Sequence, residues 1–322
     1  MPTGPIRAAA ERFLDTLSPA QGRKVSFKVD DRQWRIWNSF PVPADADGLS
    51  FMDMSEQQRQ RALDLMQASL SMRGFQKAMN VMKLNETLAE MRSAREPGRY
   101  GQWKYWFVIL GTPSDTEPWG WQFEGHHLVI NYFVLGDQVV MTPTFMGAEP
   151  VTATSGKFQG TTVLSEEQGK ALALFMALNT AQRATAAIRN EKGRNETLAG
   201  IYKDNLALDY AGIRATALDS SQRTQLLSLI AEYVNNEPSG HARIRMDDVE
   251  AHIDRTYFAW IGNTDPSAGP FYYRIQSPVI LIEFDHQGSR DHIHTVVRTP
   301  NGNDYGADLL RQHYAVHPHT GQ

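Results

Sequence analysis

Strand-like sequence occurs in two separate blocks, and this separation constrains the fold more than any other feature. The first block covers about 103–146 and contains Tyr105-Trp-Phe-Val-Ile-Leu110. The second covers about 257–298 and contains Val279-Ile-Leu-Ile-Glu-Phe284. Short runs rich in apolar, β-branched and aromatic residues predict buried strands. Helical periodicity dominates about 1–95 and returns between the two blocks.

Both blocks are predicted to contribute to one structural unit, because no repeat, low-complexity tract or long linker separates them. The order of elements predicts a single large α+β domain over 1–322, with helices packed on an extended antiparallel or mixed β-sheet. Capping boxes predict helix starts at Ser55, Ser165 and Asp219, since a glutamine follows each of them three residues later. Alternating polar and apolar residues predict a hairpin over 24–37.

Composition excludes several classes of protein. The hydrophobic fraction of 41% and charged fraction of 21% are those of a soluble globular chain. Lys and Arg total 32 against 36 Asp and Glu, so no basic field favours nucleic acid. Cysteine is absent, which excludes disulfides, thiolate nucleophiles and cysteine-bound metals. No apolar run is long enough for a membrane span and no signal peptide is visible, so we expect a cytoplasmic protein, although a trimmed secreted chain would look the same.

The histidines suggest a metal site. Five of the 10 lie in two short stretches, Glu124-Gly-His-His127 and Asp285-His286 with His292-Ile-His294, one in each strand block. Neutral imidazole is the commonest metal ligand in proteins, and the spacing His-x-His places two rings on one face of a strand. The candidate ligands are therefore His126, His127, His286, His292 and His294. The adjacent pair would face opposite ways on a regular strand, so only one of them should join the centre. The alternative is that these histidines are hydrogen-bonded structural groups.

Three further side chains are candidates for catalysis. Glu124 would share a strand face with His126 and could act as a general base, as could Asp285 at the end of its strand. Arg298 offers a bidentate fork for a substrate carboxylate. Each also has a structural alternative, namely a solvent-facing carboxylate for Asp285 and an anchor of the following turn for Arg298.

These residues predict a metal-dependent enzyme that acts on a small-molecule substrate. Copper, iron, manganese and zinc all suit a sulfur-free, histidine-rich set of ligands. A redox metal would make the protein an oxidoreductase or oxygenase, and zinc would make it a hydrolase. A non-catalytic metal- or ligand-binding protein is the third alternative. The G-x-S-x-G, P-loop and G-x-G-x-x-G motifs are all missing, so serine hydrolase and nucleotide-binding chemistry lack their anchors.

Several motifs also carry a family resemblance. They are Trp119-Gly-Trp-Gln-Phe-Glu-Gly-His-His127, Thr142-Pro-Thr-Phe-Met-Gly147, Ile282-Glu-Phe-Asp285 with His292-Ile-His294, Arg298, and Asn303-Asp-Tyr-Gly306. Through them the chain resembles, over nearly its whole length, the bacterial and fungal family known as domain of unknown function 3500. The resemblance implies a shared fold. It implies no catalytic residues, because the function of that family is unassigned.

Overall fold

The computed structural model describes residues 2–41, 46–201, 203, 206, 208–263, 269–300 and 302–317. Within these ranges the chain forms nine α-helices and one thirteen-stranded mixed sheet, so the predicted α+β domain is confirmed. No helix in the described ranges is both long and apolar enough to cross a membrane. The helices are α1 Gly4–Leu14, α2 Pro19–Val25, α3 Glu56–Ser69, α4 Met72–Arg92, α5 Ser165–Ala177, α6 Thr180–Ala186, α7 Ser220–Val234, α8 Ser239–Ala251 and α9 Ala307–Val316. The strands are β1 Ser26–Phe27, β2 Leu49–Ser50, β3 Tyr105–Leu110, β4 Trp119–Gly125, β5 Leu128–Leu135, β6 Gln138–Val140, β7 Thr144–Ala148, β8 Ala187–Arg189, β9 Ile213–Arg214, β10 Tyr257–Ile261, β11 Tyr272–Gln276, β12 Leu281–His286 and β13 Ile293–Arg298.

The two strand blocks join in the middle of the sheet. The main strand order is β1-β3-β4-β5-β7-β13-β12-β11-β10-β8, and β7 pairs with β13 in antiparallel register. This register places Gly147 opposite His294 and Phe145 opposite Val296. The long-range pair β7 and β13 therefore brings the two histidine stretches together.

Both faces of the sheet are covered, and this explains why the central strands are apolar along almost their whole length. A large core, which includes Phe107, Trp121 and Phe284, lies between one face and the helices. A smaller cluster on the other face contains Trp34 and Tyr305, among others. The candidate site lies on this second face, because His294 shares its strand face with Val296, a member of the second cluster.

Local signals predicted some element boundaries well. The capping boxes at Ser55 and Asp219 are confirmed at the starts of α3 and α7. The helix predicted at Ser165 is confirmed, since α5 begins there, but its capping box is wrong, because the N-cap is Leu164 in a left-handed conformation and no side chain caps the helix. The predicted hairpin over 24–37 is also wrong. Its first strand, β1, pairs in parallel with β3, and the residues after it form a short 3₁₀ turn at Arg32–Arg35, so the strand pairs with distant sequence instead of its neighbour.

Candidate metal centre

The first histidine pair forms a tight turn between β4 and β5. Gly125 pairs with Leu128, so His126 and His127 are the two turn residues, and the expectation that they lie on one continuous strand is wrong. His127 has a left-handed backbone with φ of 64°. Its amide donates to the Ser39 carbonyl at 3.0 Å, and its carbonyl accepts from the Gly147 amide at 2.7 Å. No local signal marks this turn, because it lacks the Asn-Gly or Asp-Gly pair that is usual in such hairpins.

The second pair lies at the start of β13, beside this turn. His294 is on the strand opposite Gly147, and His292 immediately precedes the strand. The three Nε2 atoms of His127, His292 and His294, which we call the His triad, form a triangle with each side 3.1 Å long. Burial lowers the pKa of all three imidazoles, so they are neutral near pH 7 and keep a lone pair for coordination.

The dimensions of the His triad suit a metal ion, and this buried group could hold one. At the usual metal–nitrogen distance of about 2.0–2.1 Å, nitrogens on a tetrahedral ion lie about 3.3 Å apart, and those on adjacent octahedral positions about 3.0 Å apart. The observed 3.1 Å falls between these values. Three neutral imidazoles whose Nε2 atoms converge cannot all hydrogen-bond to one another, because each of these nitrogens is either a donor or an acceptor and not both. A cation at their centre would satisfy all three.

Gly147 provides the space in which two of the rings meet. A Cβ at this position would lie 3.2 Å from Cδ2 of His294 and 3.3 Å from Cδ2 of His127, and only 2.6 Å from the Ile293 carbonyl oxygen. Any other residue would therefore press on both rings and on β13. In the sequence Gly147 is distinguished only as the last residue of the Thr142–Gly147 motif, and no local pattern indicates that its lack of a side chain opens this site.

We expect Gly147→Ala to weaken metal binding by about 10- to 100-fold, a loss of the size seen when the groups supporting metal ligands are removed. Isothermal titration with Zn²⁺ or Cu²⁺ would measure the change. Gly169→Ala is the matched control, since a Cβ there meets nothing within 4 Å. Unchanged affinity in Gly147→Ala would show that the two rings adjust freely and that their packing does not define the site.

His126 lies beside the His triad but points elsewhere. Its Nδ1 is 2.9 Å from Oδ1 of Asn85, and burial lowers its pKa to about 3. Its carbonyl accepts a hydrogen bond from the Tyr105 hydroxyl, and its ring stacks on that of His127 with centroids 3.7 Å apart. His126 thus packs against the His127 ring and lies outside the group of three. Neither Asn85 nor Tyr105 could be linked to the site from the sequence.

His286 is separate from the centre. Its Nε2 lies 2.8 Å from the side-chain oxygen of Gln168, and its Nδ1 accepts from the Phe271 amide at 3.0 Å. Both ring nitrogens are therefore occupied, and burial lowers its pKa to about 3. The structure brings together three of the five candidate ligands and places the other two outside the group.

The three candidate catalytic residues are engaged in structural contacts. Glu124 accepts from the Asn38 amide at 2.7 Å, and burial raises its pKa to about 7. Asp285 forms a buried ion pair with Lys192 at 2.6 Å and accepts from the Glu196 amide. Neither carboxylate has a hydrogen bond to the His triad among the described residues.

Arg298 and Asp285 instead hold down a loop, residues 192–200, which we call the strap. Arg298 donates to the carbonyls of Ala199 and Gly200 at 2.8 and 2.6 Å, and also pairs with Asp304. A third buried charge, Glu283, accepts from the Ala199 amide at 2.7 Å. Buried charged groups on β12 and β13 therefore fix an irregular segment across the sheet face that bears His294.

The His triad is accessible from one side. His127 is buried, whereas the His292 side chain is 19% exposed. Glu149, which forms an ion pair with Arg92, places a carboxylate oxygen 3.6 Å from Nδ1 of His292. The Phe145 ring packs edge-on against His294 with centroids 5.0 Å apart. A carboxylate behind one imidazole and an aromatic wall beside another are common surroundings of metal-binding histidines.

Fold and site together describe an α+β protein with a candidate three-histidine metal centre. The chain belongs to the family described as Protein of unknown function (DUF3500), whose match covers residues 1–307. No curated protein and no solved structure shows significant similarity to it.

Proposed function

We propose that the protein is a metal-dependent oxidoreductase or oxygenase that acts on a small molecule, with a mononuclear centre held by His127, His292 and His294. The observation that carries the proposal is the triangle of Nε2 atoms, each 3.1 Å from the other two. Its members come from two parts of the sheet and meet only through the pairing of β7 with β13.

A catalytic centre fits better than a storage site because the group has three ligands and an accessible side. Structural sites usually surround the metal with four protein ligands, while catalytic sites leave a position open. No fourth histidine or carboxylate joins the group within the part of the chain that the structure describes. The partly exposed His292 marks the side from which a small molecule could approach.

The surroundings favour redox chemistry over metal-assisted hydrolysis. Hydrolases often use a general base near the bound water, and both predicted bases, Glu124 and Asp285, are hydrogen-bonded elsewhere. A redox-active metal, when bound, would supply electron exchange between the substrate and O₂. The chain itself holds three neutral imidazoles in place through the backbone bonds of His127, the stacked His126 and the gap at Gly147.

Metal analysis by plasma mass spectrometry tests the proposal, using untagged protein purified without added metal or chelator. Near one equivalent of copper, iron or manganese is expected, followed by O₂ consumption in a small-molecule screen. Bound metal should also raise the melting temperature, because a ligand that binds only the folded state stabilises it. One equivalent of zinc would redirect the assignment to a hydrolase. Failure to bind any of these metals, even after reconstitution, would overturn it.

A further inference from the structure

The His triad can bind a metal only if each of its rings carries its hydrogen on the correct nitrogen. A neutral imidazole has one N–H, at either Nδ1 or Nε2, and the other nitrogen offers the lone pair. The three Nε2 atoms converge in a triangle with sides of 3.1 Å, so each ring that binds a metal there has to carry its hydrogen on Nδ1. An acceptor that faces Nδ1 favours this tautomer. The His292 side chain is 19% exposed, and water that bonds to either nitrogen selects neither tautomer.

The register of the sheet places Glu149 beside His292. Ala148, the last residue of β7, pairs with Ile293, the first residue of β13, so Glu149 and His292 are neighbours just beyond the end of the ladder. Oε2 of Glu149 lies 3.6 Å from Nδ1 of His292, on the side of the ring that faces away from the His triad. The separation exceeds an ordinary hydrogen bond by about 0.6 Å, which rotation of one side chain can remove. Among the described residues, Glu149 is the only acidic side chain in direct contact with this ring.

Arg92 fixes the orientation of the Glu149 carboxylate. Its Nη2 donates to Oε1 of Glu149 at 2.5 Å, and its Nη1 donates to a carboxylate oxygen of Glu96 at 3.1 Å. Oε1 of Glu149 is thus occupied by the guanidinium, and Oε2 is left for His292. Because Arg92 is the last residue of α4, which packs against β7, a chain of contacts runs from this helix through Glu149 to the ring.

A second carboxylate near the ring, that of Asp291, is directed elsewhere. Its Oδ1 accepts from the Val151 amide at 3.0 Å. Burial lowers the pKa of His292, and the charges of Glu149 and Asp291 both oppose this lowering, that of Glu149 more strongly. Asp291 therefore provides a matched comparison for Glu149, because it places the same charge near the ring without a contact to Nδ1.

We propose that Glu149 is a positioning residue of the metal centre, which accepts the Nδ1 hydrogen of His292 and so directs the Nε2 lone pair at the metal ion. This role rests on the centre proposed above. Glu149 is not a ligand itself, since its carboxylate is on the Nδ1 side of the ring and lies outside the group of three. A carboxylate acceptor also makes the imidazole a stronger donor of its lone pair to the ion.

Calorimetric titration of the full chain with Zn²⁺ tests this role. Glu149→Leu, which removes the acceptor, should weaken binding by about 10- to 100-fold. Glu149→Gln should lie between Glu149→Leu and the wild type, because its side-chain oxygen still accepts a hydrogen bond but carries no charge. Asp291→Asn should bind as the wild type does, since its amide oxygen can still accept from Val151. Thermal melting checks that each variant folds.

Nitrogen NMR of the imidazoles in the metal-free protein at pH 8 gives a second readout, which loss of stability alone would not change. In the wild type and in Asp291→Asn, we expect His292 to carry its hydrogen on Nδ1. In Glu149→Leu the Nε2–H tautomer should become populated, because the acceptor for Nδ1 is gone.

Zinc has no redox chemistry, so the affinity measurement does not depend on the proposed oxidoreductase activity. If the expected loss in Glu149→Leu were found in a protein that consumes no O₂, the role of Glu149 would stand and only the redox function would be wrong. The role would be overturned if the wild type bound no metal, if folded Glu149→Leu kept full affinity or an unchanged tautomer, or if Asp291→Asn lost as much affinity.

Discussion

Replacing His294 with alanine is expected to lower bound metal from about one equivalent to far below it. His294 supplies one of three nitrogens, and its strand position opposite Gly147 gives no neighbouring side chain that could replace it. Because loss of a group that merely supports a ligand costs 10–100-fold in affinity, loss of a ligand should cost more than about 100-fold. Metal analysis and calorimetric titration would measure the change, and O₂ consumption should fall in parallel.

His286→Ala is the control for this result. His286 is also a buried histidine on the sheet, but its ring contacts Gln168 and Phe271 rather than the His triad. The control should therefore keep its metal while losing some stability. If His294→Ala and His292→Ala both retained a full equivalent and folded cooperatively, the metal would be bound elsewhere and the proposed centre would be wrong.

Replacing Arg298 with alanine is expected to destabilise the fold by about 3–5 kcal/mol, the range measured when one partner of a buried ion pair is removed. The side chain is 1% exposed and contacts Asp304 and two carbonyls of the strap. Its loss leaves Asp304, whose pKa burial already raises, as an uncompensated buried charge. Urea denaturation followed by circular dichroism would give the change in unfolding free energy.

This experiment separates an anchoring role for Arg298 from the substrate clamp that the sequence suggested. The double variant Arg298→Met with Asp304→Asn should regain part of the lost stability, because removing both charges avoids the unpaired one. If Arg298 anchors the strap, a protease should cleave residues 192–200 faster in Arg298→Ala than in the wild type. If Arg298→Ala were as stable as the wild type and had a raised KM for a substrate, Arg298 would instead be a substrate-binding residue.

Much of the fold was predictable because its signals are local. Continuous apolar runs identified the main strands, since a strand covered on both faces has no polar side to show. The capping boxes at Ser55 and Asp219 marked two helix starts, because the hydrogen bonds of a capping box involve residues only three apart. The same reasoning failed for β1, whose partner β3 lies about 80 residues further along the chain.

The site was predictable only in outline. The spacing His292-Ile-His294 placed two imidazoles together, because alternate strand residues share a face. The spacing did not indicate whether His126 or His127 joins them, because that choice depends on a turn. In this turn His127 has a left-handed backbone, which is held by backbone hydrogen bonds to Ser39 and Gly147.

Sequence alone therefore determined the residue types and the presence of two strand blocks, each carrying histidines. Tertiary structure decided which of these residues meet. The register of β7 against β13 placed a glycine beside two imidazoles, and the strap engaged Asp285 and Arg298 that the sequence had suggested for catalysis. The physical reason is that hydrogen bonds and ion pairs between distant segments depend on the packing of the whole sheet, which no local pattern encodes.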